Sequence, residues 1–185
     1  MSKTIGVIVG SLRKESYSKK LSKAVLSMAP DGFEFKVISI GDLPIYNQDF
    51  DDEGNAPEAY AKFRNEMLTV DGVIFITPEY NRSVPGVLKN ALDVGSRPAG
   101  KSVWNGKPAA IFSNSPGNIS GFGANHHLRQ SLVFLNMPAM QQPEVYIAKA
   151  HELFEENGNM KEGGTKDFLK KAVDAYIKWF NINQQ

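Results

Sequence analysis

Apolar residues along the chain keep two alternating rhythms. Thr4-Ile5-Gly6-Val7-Ile8-Val9 is short, apolar almost throughout and closed by Gly10, as in a strand covered on both faces. From about Ser18 the spacing turns helical, with Leu21, Ala24, Val25 and Met28 on one stripe until Pro30-Asp31-Gly32 breaks it. The same alternation repeats down the chain. Strands are predicted over about 34–40, with Phe35 and Val37 on one face, and over 72–76, 109–113 and 142–147. Helices are predicted from near Pro57, near Pro85 and near Ala124, and over about 165–180, where Phe168, Leu169, Ala172, Val173, Tyr176 and Phe180 form a stripe. Residues 41–55 read as a long polar loop whose acidic run (Asp49, Asp51, Asp52, Glu53) is solvated. Five strands alternating with five helices predict an α/β fold: one domain over 1–185, built on a parallel sheet with helices on both faces.

Composition narrows the chemistry. With 42% hydrophobic residues, 185 residues suffice for a proper core. The net charge of +1 gives no basic footprint for nucleic acid. There is no cysteine, so disulfides, thiol nucleophiles and iron–sulfur ligation are excluded. Redox activity, if present, must come from a bound cofactor. The first apolar run is too short for a signal-peptide core, and no stretch approaches a membrane span, so the expected location is the cytoplasm.

Chemistry-bearing residues gather where strands end. After the first strand comes Gly10-Ser11-Leu12-Arg13-Lys14-Glu15-Ser16-Tyr17-Ser18, followed at once by a helix. Free N–H groups and the positive end of the helix dipole favour an anion there. Ser11, Ser16 and Ser18 add hydroxyl donors, Arg13 adds a charge-assisted one, and Tyr17 lies among them. The plainer alternative is a serine-rich helix cap. The third strand runs into Thr77-Pro78-Glu79-Tyr80-Asn81-Arg82-Ser83-Val84-Pro85-Gly86, where Pro78 fixes the exit and Tyr80 offers an aromatic face with a polar tip. The alternative is a proline-bounded turn. A third loop, Ser113 to Asn118, contributes Ser115 and Gly117, small enough for close backbone approach to a ligand. No G-x-G-x-x-G or Walker sequence follows the first strand. His126 and His127 are adjacent, hence about 100° apart on a helix, so no metal site is predicted.

The strings GSLRKESYS, TPEYNRSVPGVLKNALD and HLRQSLVFL resemble the NADPH-dependent FMN reductase family, within it the bacterial chromate and quinone reductases; the similarity runs from about Thr4 to about Tyr146. Glu15 and Ser18 depart from the glycine and asparagine usual in the family's first loop. The resemblance implies a flavodoxin-like three-layer fold with strand order 2-1-3-4-5 and FMN at the switch point. It implies a phosphate site at Ser11, Arg13, Ser16, Tyr17 and Ser18, and a ring site at Pro78, Glu79, Tyr80, Asn81 and Arg82. In the ring site Glu79 acts through its backbone more than its carboxylate; Ser115 and Gly117 lie beside the flavin. NAD(P)H is the implied co-substrate, in ping-pong hydride transfer to quinones, with chromate as a further acceptor. The chemistry resides in FMN, so no side chain is assigned as catalytic. Homodimers or homotetramers are implied, through the helix from Pro85 to Val94 and that from Leu128 to Leu135, with Arg82, Arg129 and Glu144 in a polar network. Trp104 and Tyr46 are candidates for the acceptor pocket or for interface packing. The alternatives are a flavodoxin-type electron carrier, which the +1 charge disfavours because such carriers are strongly acidic, and a non-catalytic FMN sensor.

Overall fold

Five parallel strands form one sheet in the order β2-β1-β3-β4-β5. This architecture comes from a computed structural model that describes residues 2–184. The strands are β1 (Lys3–Val9), β2 (Phe33–Ile38), β3 (Gly72–Thr77), β4 (Ala109–Asn114) and β5 (Val145–Ile147). The helices are α1 (Tyr17–Leu26), α2 (Gln48–Asp52), α3 (Glu58–Leu68), α4 (Gly86–Gly95), α5 (Phe122–Phe134) and α6 (Gly164–Asn183). The fold is flavodoxin-like, in the order the resemblance implies.

Residue alternation along the central strands divides the core in two. Ile5 and Val7, Ile74 and Ile76, and Ala110 and Phe112 point to the face covered by α1 and α6. Ile8, Val73, Phe75, Ala109 and Ile111 point to the face covered by α3, α4 and α5. Every residue of β3 and β4 is buried, which is why those runs carry no polar face in the sequence.

Three expectations need correction. Strand β5 has three residues where six were expected, and Pro143, which lacks an N–H, precedes it. The acidic run is no plain solvated loop. It contains α2, capped by the Asn47 side chain, and Asp51 pairs with Arg64 of α3 through two contacts of 2.7 Å. Trp104 lines no pocket: it is fully buried, and its indole N–H donates to the Leu92 carbonyl at 3.0 Å.

Trp104 also explains Gly95. A Cβ on residue 95 would lie 2.5 Å from the indole nitrogen and 2.7 Å from Cε2 of a ring that has no free space to enter. Gly95→Ala gains up to ~1 kcal/mol of helix propensity. Overpacking costs about 1–3 kcal/mol and wins. Urea unfolding is expected to show a lower midpoint at unchanged slope; an equal or higher midpoint contradicts this packing.

Candidate functional site at the strand ends

The carboxyl ends of β1, β3 and β4 surround a recess of about 120 Å³. Ser11, Arg13, Ser16, Tyr17 and Ser18 line it from the first loop, Pro78, Glu79 and Tyr80 from the second, and Asn114, Ser115 and Pro116 from the third. Nine of the twelve residues singled out in the sequence therefore meet at one place. Asn81, Arg82 and Gly117 stand outside the recess itself.

The first loop divides its hydroxyls between structure and site. Ser16 is the N-cap of α1, its side chain accepting from the Lys19 N–H at 3.4 Å. Ser18 is buried and bonded to the Asn114 side chain, with Asn114 Nδ2 at 3.0 Å from its hydroxyl oxygen. Asn114 Nδ2 also lies 3.3 Å from the Thr77 carbonyl. One side chain thus ties the ends of β3 and β4 to the start of α1. Asn114 was missed in the sequence. Its signal was the polar pair Ser113-Asn114 closing an apolar run. Ser11 and the exposed Arg13 turn to the recess without internal partners among the described residues. An anion placed there would meet Arg13, the Ser11 hydroxyl and the start of α1.

The second loop is a tight hairpin. Tyr80 N–H donates to the Ser83 carbonyl at 3.1 Å and Ser83 N–H returns to the Tyr80 carbonyl at 3.0 Å. Asn81 and Arg82 between them have φ of 51° and 63°, the double left-handed geometry of a two-residue turn. Asparagine tolerates that conformation; arginine does so at about 1–2 kcal/mol. Tyr80 remains exposed, an aromatic face at the rim of the recess. In the third loop, Ser115 Oγ accepts from the Gly117 N–H at 3.1 Å, so Gly117 shapes the loop that carries Ser115.

Neighbouring groups make contacts within the chain. Asn90 of α4 accepts from the Tyr46 N–H at 2.8 Å and donates to the Pro44 carbonyl at 2.8 Å, pinning the strap 41–47. Arg129 turns inward to the Asn125 side chain and the Met140 carbonyl. Arg82 pairs with Glu79 at 3.1 Å, while Glu144 stands 4.0 Å from His126. His126 Nε2 lies 2.9 Å from the Tyr146 hydroxyl. Burial, then the nearby Glu144 carboxylate, push the Tyr146 phenol up to about 12. Among the described residues no three metal-ligating side chains come together.

A larger cavity, about 550 Å³, lies elsewhere, between α4 and α5. Lys89, Asp93, Arg97 and Phe134 line it, with Tyr46 at its edge. Size alone would choose it as the site. The strand-end recess is the better candidate, because there the switch point of the sheet and three loops of matching chemistry coincide.

The sequence profile of the NADPH-dependent FMN reductases matches residues 4–152. The chain belongs to this family. A quinone reductase of Pseudomonas putida is 53% identical over 181 residues, covering 98% of this chain and 96% of that protein. A 2-hydroxy-1,4-benzoquinone reductase of a Burkholderia species is 45% identical, covering 97% of each. Among solved structures, the flavoenzyme NAD(P)H:(acceptor) oxidoreductase FerB of Paracoccus denitrificans superimposes with a TM-score of 0.91 at 40% identity, covering 99% of this chain and all of the other. Family membership makes the chain an NAD(P)H-dependent oxidoreductase that works with FMN. The donor set of the recess fits that cofactor: cationic and hydroxyl groups at one end for the phosphate, an exposed aromatic edge and backbone turn at the other for the ring. Among the described residues no helix is long and apolar enough to cross a membrane.

Proposed function

We propose that the chain is a single FMN-binding unit that passes hydride from NAD(P)H to quinones in the cytoplasm. The observation that carries this reading is the convergence of the three loops on the recess at the ends of β1, β3 and β4. In this assignment Ser11, Arg13, Ser16 and the start of α1 hold the phosphate of FMN, with Tyr17 and Ser18 supporting them. Pro78, Glu79, Tyr80, Asn81 and Arg82 form the ring side, and Ser115 with Gly117 borders it. At about 120 Å³ the recess is smaller than the ~300–1,000 Å³ of a typical ligand cleft, which suits a phosphate tail and leaves the tricycle on the outer rim.

Bound FMN supplies the hydride acceptor and donor, while the protein orients it and excludes side reactions. The sequence holds no dinucleotide fingerprint after its first strand, so NAD(P)H and the acceptor use the same open face in turn. That is a ping-pong scheme, in which double-reciprocal plots at several quinone concentrations run parallel. Chromate is a further acceptor in this reading.

The chain assembles through the α4–α5 face, first as a dimer. Val133 and Phe134 on α5 are 79% and 88% exposed beside the 550 Å³ groove, an apolar edge of the kind a second copy covers. A dimer of such dimers completes a tetramer.

The class is tested by one anaerobic spectrum. Purified protein is expected to be yellow, to release FMN on denaturation and to bleach when NADPH is added. A yellow protein that NADPH does not bleach would instead make it a carrier or a sensor.

A further inference from the structure

We propose that the carboxylate of Glu79 is a positioning residue for the flavin ring: it holds the ring-side hairpin against the N-terminus of α5. The inference rests on the assignment of residues 78–82 to the ring.

Helix α5 has no cap of its own. Its N-cap residue is Gly121, at φ 75°, and its first turn contains no acidic residue. The N–H of its third residue, Ala124, donates instead to Glu79 Oε2 at 3.1 Å, from a side chain 45 positions earlier. A local aspartate or serine would ordinarily fill this role. The other carboxylate oxygen, Oε1, accepts from Arg82 Nη1 at 3.1 Å. Glu79 therefore joins the helix end to Arg82 at the tip of the hairpin. Its side chain is only 10% exposed, so the carboxylate is held among these partners rather than in water. The positive end of the helix dipole favours the negative charge further.

One further contact and one close approach join the same two parts. His127, one turn into α5, places Nδ1 2.9 Å from the Ser83 hydroxyl at the end of the hairpin. Gly123 lets the hairpin come close: a Cβ there would stand 2.7 Å from the Arg82 carbonyl oxygen and 2.9 Å from Glu79 Oε2. The absence of a side chain at 123 and the presence of a carboxylate at 79 are thus complementary. Together they set the height of the Asn81-Arg82 turn over the strand ends. That turn carries two left-handed non-glycine residues, so it keeps its shape only while its surroundings impose it.

Loosening the hairpin lowers the fraction of molecules whose ring side is in place, and apparent flavin affinity falls by that fraction. The donors assigned to the phosphate, Ser11, Arg13 and Ser16, stand on the loop between β1 and α1 rather than on the hairpin. Riboflavin, which lacks the phosphate, separates the two ends. The experiment measures dissociation constants of apo-protein for FMN and for riboflavin by flavin-fluorescence quenching, with the visible spectrum of each complex.

Glu79→Ala is expected to weaken both ligands by the same factor, about tenfold, and to change the visible band of the bound flavin. Glu79→Gln keeps an oxygen for the Ala124 N–H but loses the charge, so a smaller common loss of about two- to fivefold is expected. Gly123→Ala, acting from the helix side, is expected to reproduce the Glu79→Ala pattern. Thermal melting of each apo-variant confirms folding; if Glu79→Ala does not fold, the comparison of Glu79→Gln with Gly123→Ala decides. Riboflavin affinity and spectrum equal to wild type in folded variants overturn the proposal, as does loss of FMN affinity without loss of riboflavin affinity. Wild-type protein that binds neither ligand would contradict the ring assignment itself, a separate failure visible before any variant is made.

Discussion

Asp51→Ala is expected to destabilise the protein by about 3 kcal/mol and to lower its Tm by roughly 6–12 °C. The substitution leaves Arg64 without its partner in a place water reaches poorly: its side chain is 14% exposed and that of Asp51 only 6%. The guanidinium fork meets both carboxylate oxygens at 2.7 Å, donates from Nε to the Val94 carbonyl at 2.9 Å, and lies 5.3 Å above the Tyr60 ring. This one side chain therefore joins α2, α3 and α4. Removing the anion takes away the strongest of these contacts and leaves a cation to be solvated. The bidentate geometry matters, because an ordinary surface pair would contribute less than about 1 kcal/mol.

The pair also carries a pH signature. Hydrogen bonding to Arg64 holds the Asp51 carboxyl below its usual range. A depressed folded-state value means that its stabilisation is complete above the unfolded value near ~3.9 and fades as pH falls through the folded one. The gap between wild type and Asp51→Asn should accordingly be widest near neutrality and close in acid below about pH 4. Urea midpoints at several pH values check this; a gap that is small or constant from neutral to acid contradicts the buried-pair account.

Arg13→Ala is expected to weaken FMN binding by about 10- to 100-fold and to leave riboflavin binding unchanged. A charge-assisted hydrogen bond contributes roughly 1.5–3 kcal/mol, and tenfold in affinity is about 1.4 kcal/mol. Arg13 is exposed, so the lower part of that range applies at physiological ionic strength, with a larger effect in dilute buffer. The serines cannot replace it. Ser18 is bonded to Asn114, and Ser11 and Ser16, the latter accepting from the Lys19 N–H, can offer only neutral O–H donors. Equal loss for FMN and riboflavin would move Arg13 from the phosphate to the ring or to general stability; no loss would remove it from the site.

These cases show which parts of the fold could be read along the chain. Buried parallel strands write themselves as uninterrupted apolar runs, so β1, β3 and β4 fell where expected. The stripe of α6 was equally plain, since Leu169, Ala172, Val173, Tyr176 and Phe180 are all buried. Strand order has no periodic signal and came from the family resemblance. Helix α2 was hidden because its five residues include a single apolar one, Phe50; what secures it is an ion pair to a residue 13 positions later. The large, amphipathic indole of Trp104 suited either a pocket or an interface, yet it is buried in the core and its N–H finds a helix carbonyl there.

The site was legible to a similar depth. Glycine, hydroxyls, arginine and the Pro-Glu-Tyr-Asn run marked the two main loops, because close approach to a ligand constrains residue type locally. The division of labour inside them did not show. Whether Ser18 faces a ligand or Asn114, and whether Glu79 uses its backbone or its carboxylate, depends on partners 96 and 45 residues away. Long-range partners of that kind leave no mark in local sequence.

The most direct measurement is a crystal structure of the protein with FMN. The account predicts phosphate density within hydrogen-bond distance of Ser11 and Arg13 at the start of α1, and the tricycle over the Tyr80–Arg82 hairpin. FMN density in the groove between α4 and α5, or none at saturating FMN, would contradict it.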